Sequence, residues 1–274
     1  MVAGYLIIIL NVLVSYLGIS SRSFFDRYKL NVDEILLRKD YKRLITSGFL
    51  HVNWMHLFFN MLALYFFMGN IENSLGEFRF LIIYFSSLAG GSLLALFIHR
   101  NHGDYSCVGA SGAACGLIFA TIALYPGFHI GLFFLPISIP GWLFGILFVL
   151  ITINAIRYKA NNVGNEAHLG GALLGMTVAL LMEPVAFTEN YPAILLIVVP
   201  VLLFLFLVIT KPHFLIVENL FPSKDKDFYS IDQKYNLDRS KRQQELDSIL
   251  DKINRRGIKS LTREEKNKLD EYSK

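Results

Sequence analysis

Cysteine is nearly absent: Cys107 and Cys115 are the only two in 274 residues, too few for a disulfide framework and without the spacing of a thiolate metal site. The metalloprotease signature HExxH is missing, and His51 and His56 lie about 140° apart around a helix, so they share no face on which to hold zinc. No glycine-rich phosphate loop, long internal repeat, low-complexity tract or nucleic-acid motif occurs. No cofactor, metal or nucleic-acid partner is therefore expected. The second to sixth long apolar runs carry no acidic residue deep inside them, which disfavours the proton or cation relay of a transporter. The first run has no basic stretch before it and no small-residue cleavage pattern after it, so it reads as a retained span and not as a removable signal peptide.

What is abundant is apolar residue: 54% of the chain is hydrophobic, 14% is aromatic and the mean hydropathy is +0.45. That composition belongs to a membrane protein. Helical runs of roughly 17 to 25 apolar residues can cross a hydrocarbon core about 30 Å thick. Seven stand out, near 4–20, 52–70, 78–99, 109–126, 130–153, 165–185 and 191–210, and the fold class expected is an all-α polytopic membrane protein. The division expected is a membrane domain over 1–188, an additional transmembrane helix over 189–213 and a polar helical tail over 214–274. The net charge of +4 hides an asymmetry, because charges gather in residues 22–43 and again from Lys211 onward. In the tail, Leu246, Ile249, Leu250 and Ile253 fall at helical spacing before Gly257, and Thr262 with Glu265 has capping-box spacing. No partner of the tail is legible.

A polar group in hydrocarbon is costly unless it is partnered or wet, so polar residues inside the runs mark candidate sites. In HVNWMHLFFNM, residues 51–61, His56 and Asn60 are four apart and share one helix face. His51 is read with Trp54 as an interfacial residue, where amphipathic rings collect. In VGASGAACGLIFA, residues 108–120, Gly109 and Gly112 flank the Ala110–Ser111 pair at the start of a helix. Unpaired N–H groups there favour negative charge, which suits a nucleophile that generates an oxyanion. Taken alone, GASG also describes a small-residue helix contact, since Gly112 and Gly116 are a small-xxx-small pair. It is not the GxSxG elbow of soluble hydrolases, because Ala113 stands at the last position.

In NEAHLGGALLGM, residues 165–176, Ala167, Gly171 and Gly175 form a small face on which another helix can settle. If that partner is the Gly112/Gly116 face, His168 is carried to Ser111. Histidine has a suitable pKa to take the serine proton near neutrality. All three stretches open even-numbered spans and so lie at one membrane face. Glu166, two residues before His168, points elsewhere, which leaves Ser111 and His168 as a dyad without an orienting carboxylate.

In combination these residues resemble the rhomboid family of intramembrane serine proteases over residues 1 to about 185. The motifs are Lys42-Arg43 followed by TSGFLH, His56-x-x-x-Asn60, Glu72 in ENSLGEFRF, GASG at 109–112, and Ala167-His168-x-x-Gly171-x-x-x-Gly175. The resemblance implies a six-transmembrane-helix bundle plus a seventh span, with Ser111 as nucleophile and His168 as general base and then acid. It implies an oxyanion held by His56, Asn60 and the Ser111 N–H, and a wet cavity at the mouths of the even-numbered spans. Residues 21–50 become the family's first loop, lying partly in the membrane. The substrates implied are transmembrane helices cut near one end, and the setting a bacterial inner membrane. An inactive relative that binds or delivers membrane clients is the alternative, disfavoured because Ser111 and His168 are both present.

The chain departs from the family twice, with Lys42 where Trp is usual and Cys115 where a Tyr or Phe usually packs on the histidine. With seven spans, every Lys and Arg except Arg79 lies on the face of Ser111. Positive-inside bias would turn that face to the cytoplasm, whereas the resemblance implies an extracytoplasmic site. The resemblance is given the greater weight, because long tails contribute little to the bias.

Overall fold

Each of the seven apolar runs contains a helix in the computed structural model, which describes residues 2–131, 138–158 and 164–210 together with Ile249, Lys252, Ile253, Leu261 and Thr262. After α1 (Val2–Ser20) come short pieces, α2 (Arg22–Tyr28), β1 (Leu30–Asn31), α3 (Val32–Leu36) and α4 (Arg43–Thr46). Then follow α5 (Trp54–Leu75), α6 (Glu77–Ile98), β2 (Ser106–Cys107), α7 (Ser111–Leu124), the strands β3 (His129–Gly131) and β4 (Ser138–Pro140), α8 (Gly141–Tyr158), α9 (Asn165–Met182) and α10 (Pro184–Thr210). The chain divides into two compact units, Met1–Pro222 and Ser223–Lys274. In the second, Ile249, Lys252 and Ile253 have helical backbone. Leu246, Leu250, Gly257 and Glu265 of the expected tail helices lie outside the described residues.

Among the described residues, α1, α5, α6, α8 and α10 are long and apolar enough to cross a membrane. The other two expected spans depart from that pattern for separate reasons. Helix α7 has only 14 residues, a length of about 21 Å at about 1.5 Å per residue. It is nevertheless buried almost throughout, so its neighbours, and not lipid, solvate it. Helix α9 has 18 residues but opens on Asn165, Glu166 and His168, which lower its hydropathy. The run at 130–153 is corrected more substantially. Among its described residues, 130–131 and 138–140 are strand and not helix, Ile130 pairing with Ile139 between β3 and β4, and α8 begins only at Gly141. Pro140 suits a helix start, where an N–H would have no partner within the helix, and the first N–H groups of α8 find acceptors outside it, Gly141 the Phe128 carbonyl and Trp142 the Pro126 carbonyl.

Local signals set several boundaries. Asn53 stands in extended conformation before α5 and its side chain accepts from the His56 N–H at 2.8 Å, an ordinary N-cap. Gly76, at φ 87°, turns α5 directly into α6, a conformation natural to glycine. Arg43 is buried and donates to the carbonyls of Asp26 and Lys29 and to the Asp40 carboxylate. The buried Arg43 thus ties together the 22–46 segment, while Lys42 beside it pairs with Asp40 from a half-exposed position. The segment is joined to the approach to α7 by antiparallel β1–β2 pairing, Leu30 opposite Cys107 and Asn31 opposite Ser106.

The centre of the bundle is the packing of α9 on α6 and α7. Small residues make it possible. Gly91 of α6 and Gly112 of α7 both face the Ala167 carbonyl of α9, and Gly171 and Gly175 of α9 lie directly against the backbone of Gly112 and Gly116. Close backbone approach of this kind gains van der Waals contact where lipid supplies no hydrophobic drive between helices.

Candidate active site

Ser111 is the first residue of α7, and the N-cap residue Ala110 offers no side chain to its open N–H groups. The turn that delivers it is tightly determined. Gly109 has φ 127°, and a Cβ there would come within 2.8 Å of His56 Cε1, 3.0 Å of His56 Nε2 and 3.7 Å of Ser111 Oγ. Both the backbone conformation and the space therefore require glycine. The Gly109 N–H donates to the Ser47 carbonyl at 3.0 Å.

His168 stands in the first turn of α9, and its Nε2 lies 2.7 Å from Ser111 Oγ. A neutral ring unprotonated at Nε2 accepts the serine hydroxyl proton in this geometry. The α7–α9 glycine contact lies immediately below: Gly112 follows Ser111, Gly171 is one turn beyond His168, and a Cβ on Gly112 would stand 3.2 Å from the Ala167 carbonyl. Glu166 does not approach His168 as an orienting acid. Its carboxylate meets His99 Nε2 at 3.1 Å, and the His99 ring stacks on Tyr105 at 3.6 Å between centroids.

His56 presents its ring edge to Gly109 and keeps a buried, unpartnered Nδ1. One turn deeper on the same face, Asn60 is buried and donates one amide hydrogen to the His56 carbonyl at 2.8 Å. Its second amide hydrogen is not used by that bond.

His51 is not an interfacial residue. It is 0% exposed, and it forms the middle of a hydrogen-bond chain. Ser15 donates its hydroxyl to the Phe49 carbonyl at 2.9 Å, so toward His51 Nδ1, 2.7 Å away, it acts as acceptor. That places the ring proton on Nδ1 and leaves Nε2 to accept from the Ala110 N–H at 3.4 Å. Burial, together with the nearby His56, holds the His51 pKa down to about 3, so the ring stays neutral through the physiological range. The chain runs from α1 to the residue preceding Ser111. Sequence spacing missed it because its bonds span 36 and 59 residues; the signal that could have found it was a histidine opening a strongly apolar run.

Sequence reading also missed Phe148 of α8, whose ring centroid lies 6.4 Å from that of His168. An aromatic neighbour of the histidine thus comes from a different helix than the one carrying Cys115. The thiols are poorly suited to attack: Cys115 is buried, and burial raises the Cys107 pKa to about 12, leaving it protonated.

The rhomboid domain family model matches residues 38–184, and a family of unknown function, DUF6576, matches residues 229–274. Among similar proteins, RHOMBOID-like protein 12, mitochondrial, of Arabidopsis thaliana is 33% identical over 145 residues, covering 47% of this chain and 43% of that protein. Rhomboid protein 1, mitochondrial, of Saccharomyces cerevisiae is 32% identical over 149 residues, covering 52% and 43%. Rhomboid protease GluP of Bacillus subtilis is 29% identical over 181 residues, covering 64% and 34%. The matched region is thus less than half the length of each of these relatives.

Proposed function

The chain belongs to the rhomboid family of integral membrane proteins, and from that premise we propose that it is an intramembrane serine endopeptidase working through a Ser111–His168 dyad. The observation that carries the proposal is the 2.7 Å separation of His168 Nε2 from Ser111 Oγ at the open end of α7. In this reading Ser111 Oγ bonds to the carbonyl carbon of a peptide while its proton passes to His168. The oxyanion is held by the Ser111 N–H and by the side chains of His56 and Asn60. Collapse breaks the C–N bond, His168 returns the proton to the leaving amine, and water then hydrolyses the Ser111 ester with His168 again as base.

The substrates are transmembrane segments, reached from the bilayer. In this reading the face bearing Ser111 is extracytoplasmic and the membrane is that of a bacterial cell; the similar proteins include both bacterial and mitochondrial rhomboids.

The test is a panel of single-span membrane proteins offered to the purified chain in lipid vesicles, with a fluorophosphonate as serine probe. Wild type is expected to cleave at least one of them and to be labelled at Ser111, and Ser111→Ala to do neither. A wild-type chain that binds the segments but neither cleaves nor labels is instead an inactive rhomboid-like protein that holds or delivers membrane clients. Asn60→Ala is expected to lower turnover by about 10² to 10³, the typical loss of one oxyanion donor when others remain. Wild-type turnover in that variant removes Asn60 from the oxyanion site.

A further inference from the structure

The C-terminal end of α7 poses a problem that the rhomboid-matched residues 38–184 do not solve by themselves. A helix of about 21 Å cannot reach both edges of a core about 30 Å thick. The Ser111 end is the one read as recessed in a wet cavity, and at the other end the carbonyls of the last turn have no partner within the helix and need one from outside it. The Thr121 carbonyl accepts from the Tyr125 N–H at 2.8 Å. The carbonyls of Ala123 and Leu124 are both satisfied by one side chain, Asn190 of α10, whose Nδ2 lies 3.0 Å from the first and 3.1 Å from the second. An amide NH₂ has two hydrogens, one for each of these acceptors.

Asn190 is out of character for its position. The buried stripe of α10 consists of Ala186, Ile194, Ile197, Val201, Phe204 and Val208, and Asn190 occupies the register position four after Ala186 and four before Ile194. That position faces the bundle and would ordinarily be apolar. A polar residue there is explained by the two carbonyls it meets.

We infer that Asn190 is a positioning residue for Ser111, acting through α7. The inference rests on the reading of Ser111 as nucleophile. At the other end of α7, the residues leading into it are held by the Ser47 carbonyl on Gly109 and by His51 on Ala110. Asn190 pins the opposite end. A short helix held at both ends cannot slide or tilt along the α9 contact, and the separation of Ser111 from His168 is set by that restraint. The helix beyond the matched rhomboid segment is thereby part of the catalytic unit.

The experiment compares wild type and Asn190 variants in lipid vesicles, reading the rate of fluorophosphonate labelling at Ser111 per folded molecule, and kcat and KM separately on a cleaved single-span substrate. Asn190→Leu keeps the volume and removes the donor. It is expected to lower the labelling rate and kcat by about 10 to 10², with KM unchanged, since small misplacements of a reacting group have effects of this order. Asn190→Ser and Asn190→Ala form a pair of similar size with and without a donor, and Ser is expected to label several-fold faster than Ala. A role confined to stability predicts lower heat resistance with wild-type labelling of the folded fraction, and that result from Asn190→Leu overturns the inference. Where Asn190→Leu fails to fold, equal labelling of the Ser and Ala variants overturns it. Absence of labelling in wild type overturns instead the reading of Ser111 on which the inference rests.

Discussion

The double variant Ser111→Ala/His168→Ala is expected to cleave scarcely more slowly than either single variant, while each single variant falls by about 10⁴ to 10⁶ in turnover. The reason is that the two side chains perform one operation. Ser111 Oγ is a weak nucleophile unless a base removes its proton as it attacks, and His168 has nothing to deprotonate once the hydroxyl is gone. The 2.7 Å contact between them is the structural form of that dependence. Residual activity in all three variants would come from the oxyanion donors and substrate binding, which none of them alters. Initial rates on one cleaved substrate, measured with active-site concentrations normalised by folded protein, provide the check. Losses that multiply in the double variant would mean that Ser111 and His168 act independently and do not form a dyad.

Gly171→Val is expected to abolish activity, and Gly171→Ala to reduce it by about 10² or more, although neither touches a reacting atom. A Cβ on Gly171 would fall on the backbone of Gly112, within 2.7 Å of its carbonyl carbon and 3.0 Å of its Cα. Those atoms belong to a buried helix and cannot rotate aside as a side-chain end can. The helices α7 and α9 must separate, at an overpacking cost of typically 1 to 3 kcal/mol, with valine at the upper end or beyond. Because Ser111 precedes Gly112 and His168 lies one turn before Gly171, the same separation opens the serine–histidine contact. Thermal unfolding in detergent and cleavage rates at a temperature where the variant is folded distinguish the two consequences. Gly127→Ala serves as the control, since nothing lies within 4 Å of a Cβ there, and should be close to wild type in both measurements. Wild-type cleavage by folded Gly171→Ala would show that the α7–α9 spacing does not set the dyad geometry.

Asn190 and Gly171 illustrate a common theme. Both lie away from the reacting atoms and both act on the position of α7, one at its C-terminal carbonyls and the other along its side. A short helix buried on nearly all faces has few intrinsic restraints along its axis, so its neighbours determine where its first residue stands.

Hydropathy and capping residues are local quantities, and from them alone the runs holding α1, α5, α6, α7 and α9 were legible to within a few residues, while α8 begins 11 residues and α10 7 residues away from the start of its run. The sequence by itself determined that Ser111 opens one apolar helix and His168 another, that Gly109, Gly112, Gly116, Gly171 and Gly175 leave room for close approach, and that Glu166 points away from His168. Membership of the rhomboid family was likewise legible in the ordered motifs. What depends on partners distant in the chain became visible only in the assembled bundle. His51 looked like an interfacial ring and is instead buried between Ser15 and the Ala110 N–H, because a polar residue at the mouth of an apolar run has two possible solvents and sequence does not say which it meets. The run at 130–153 looked like one span, whereas 129–131 pair with 138–140 as antiparallel strands and the helix starts at Gly141; apolar content alone does not separate a strand from a helix. Phe148 beside His168 and Asn190 beneath α7 are set by how helices cross, and crossing is fixed by packing over the whole bundle, not by any single segment.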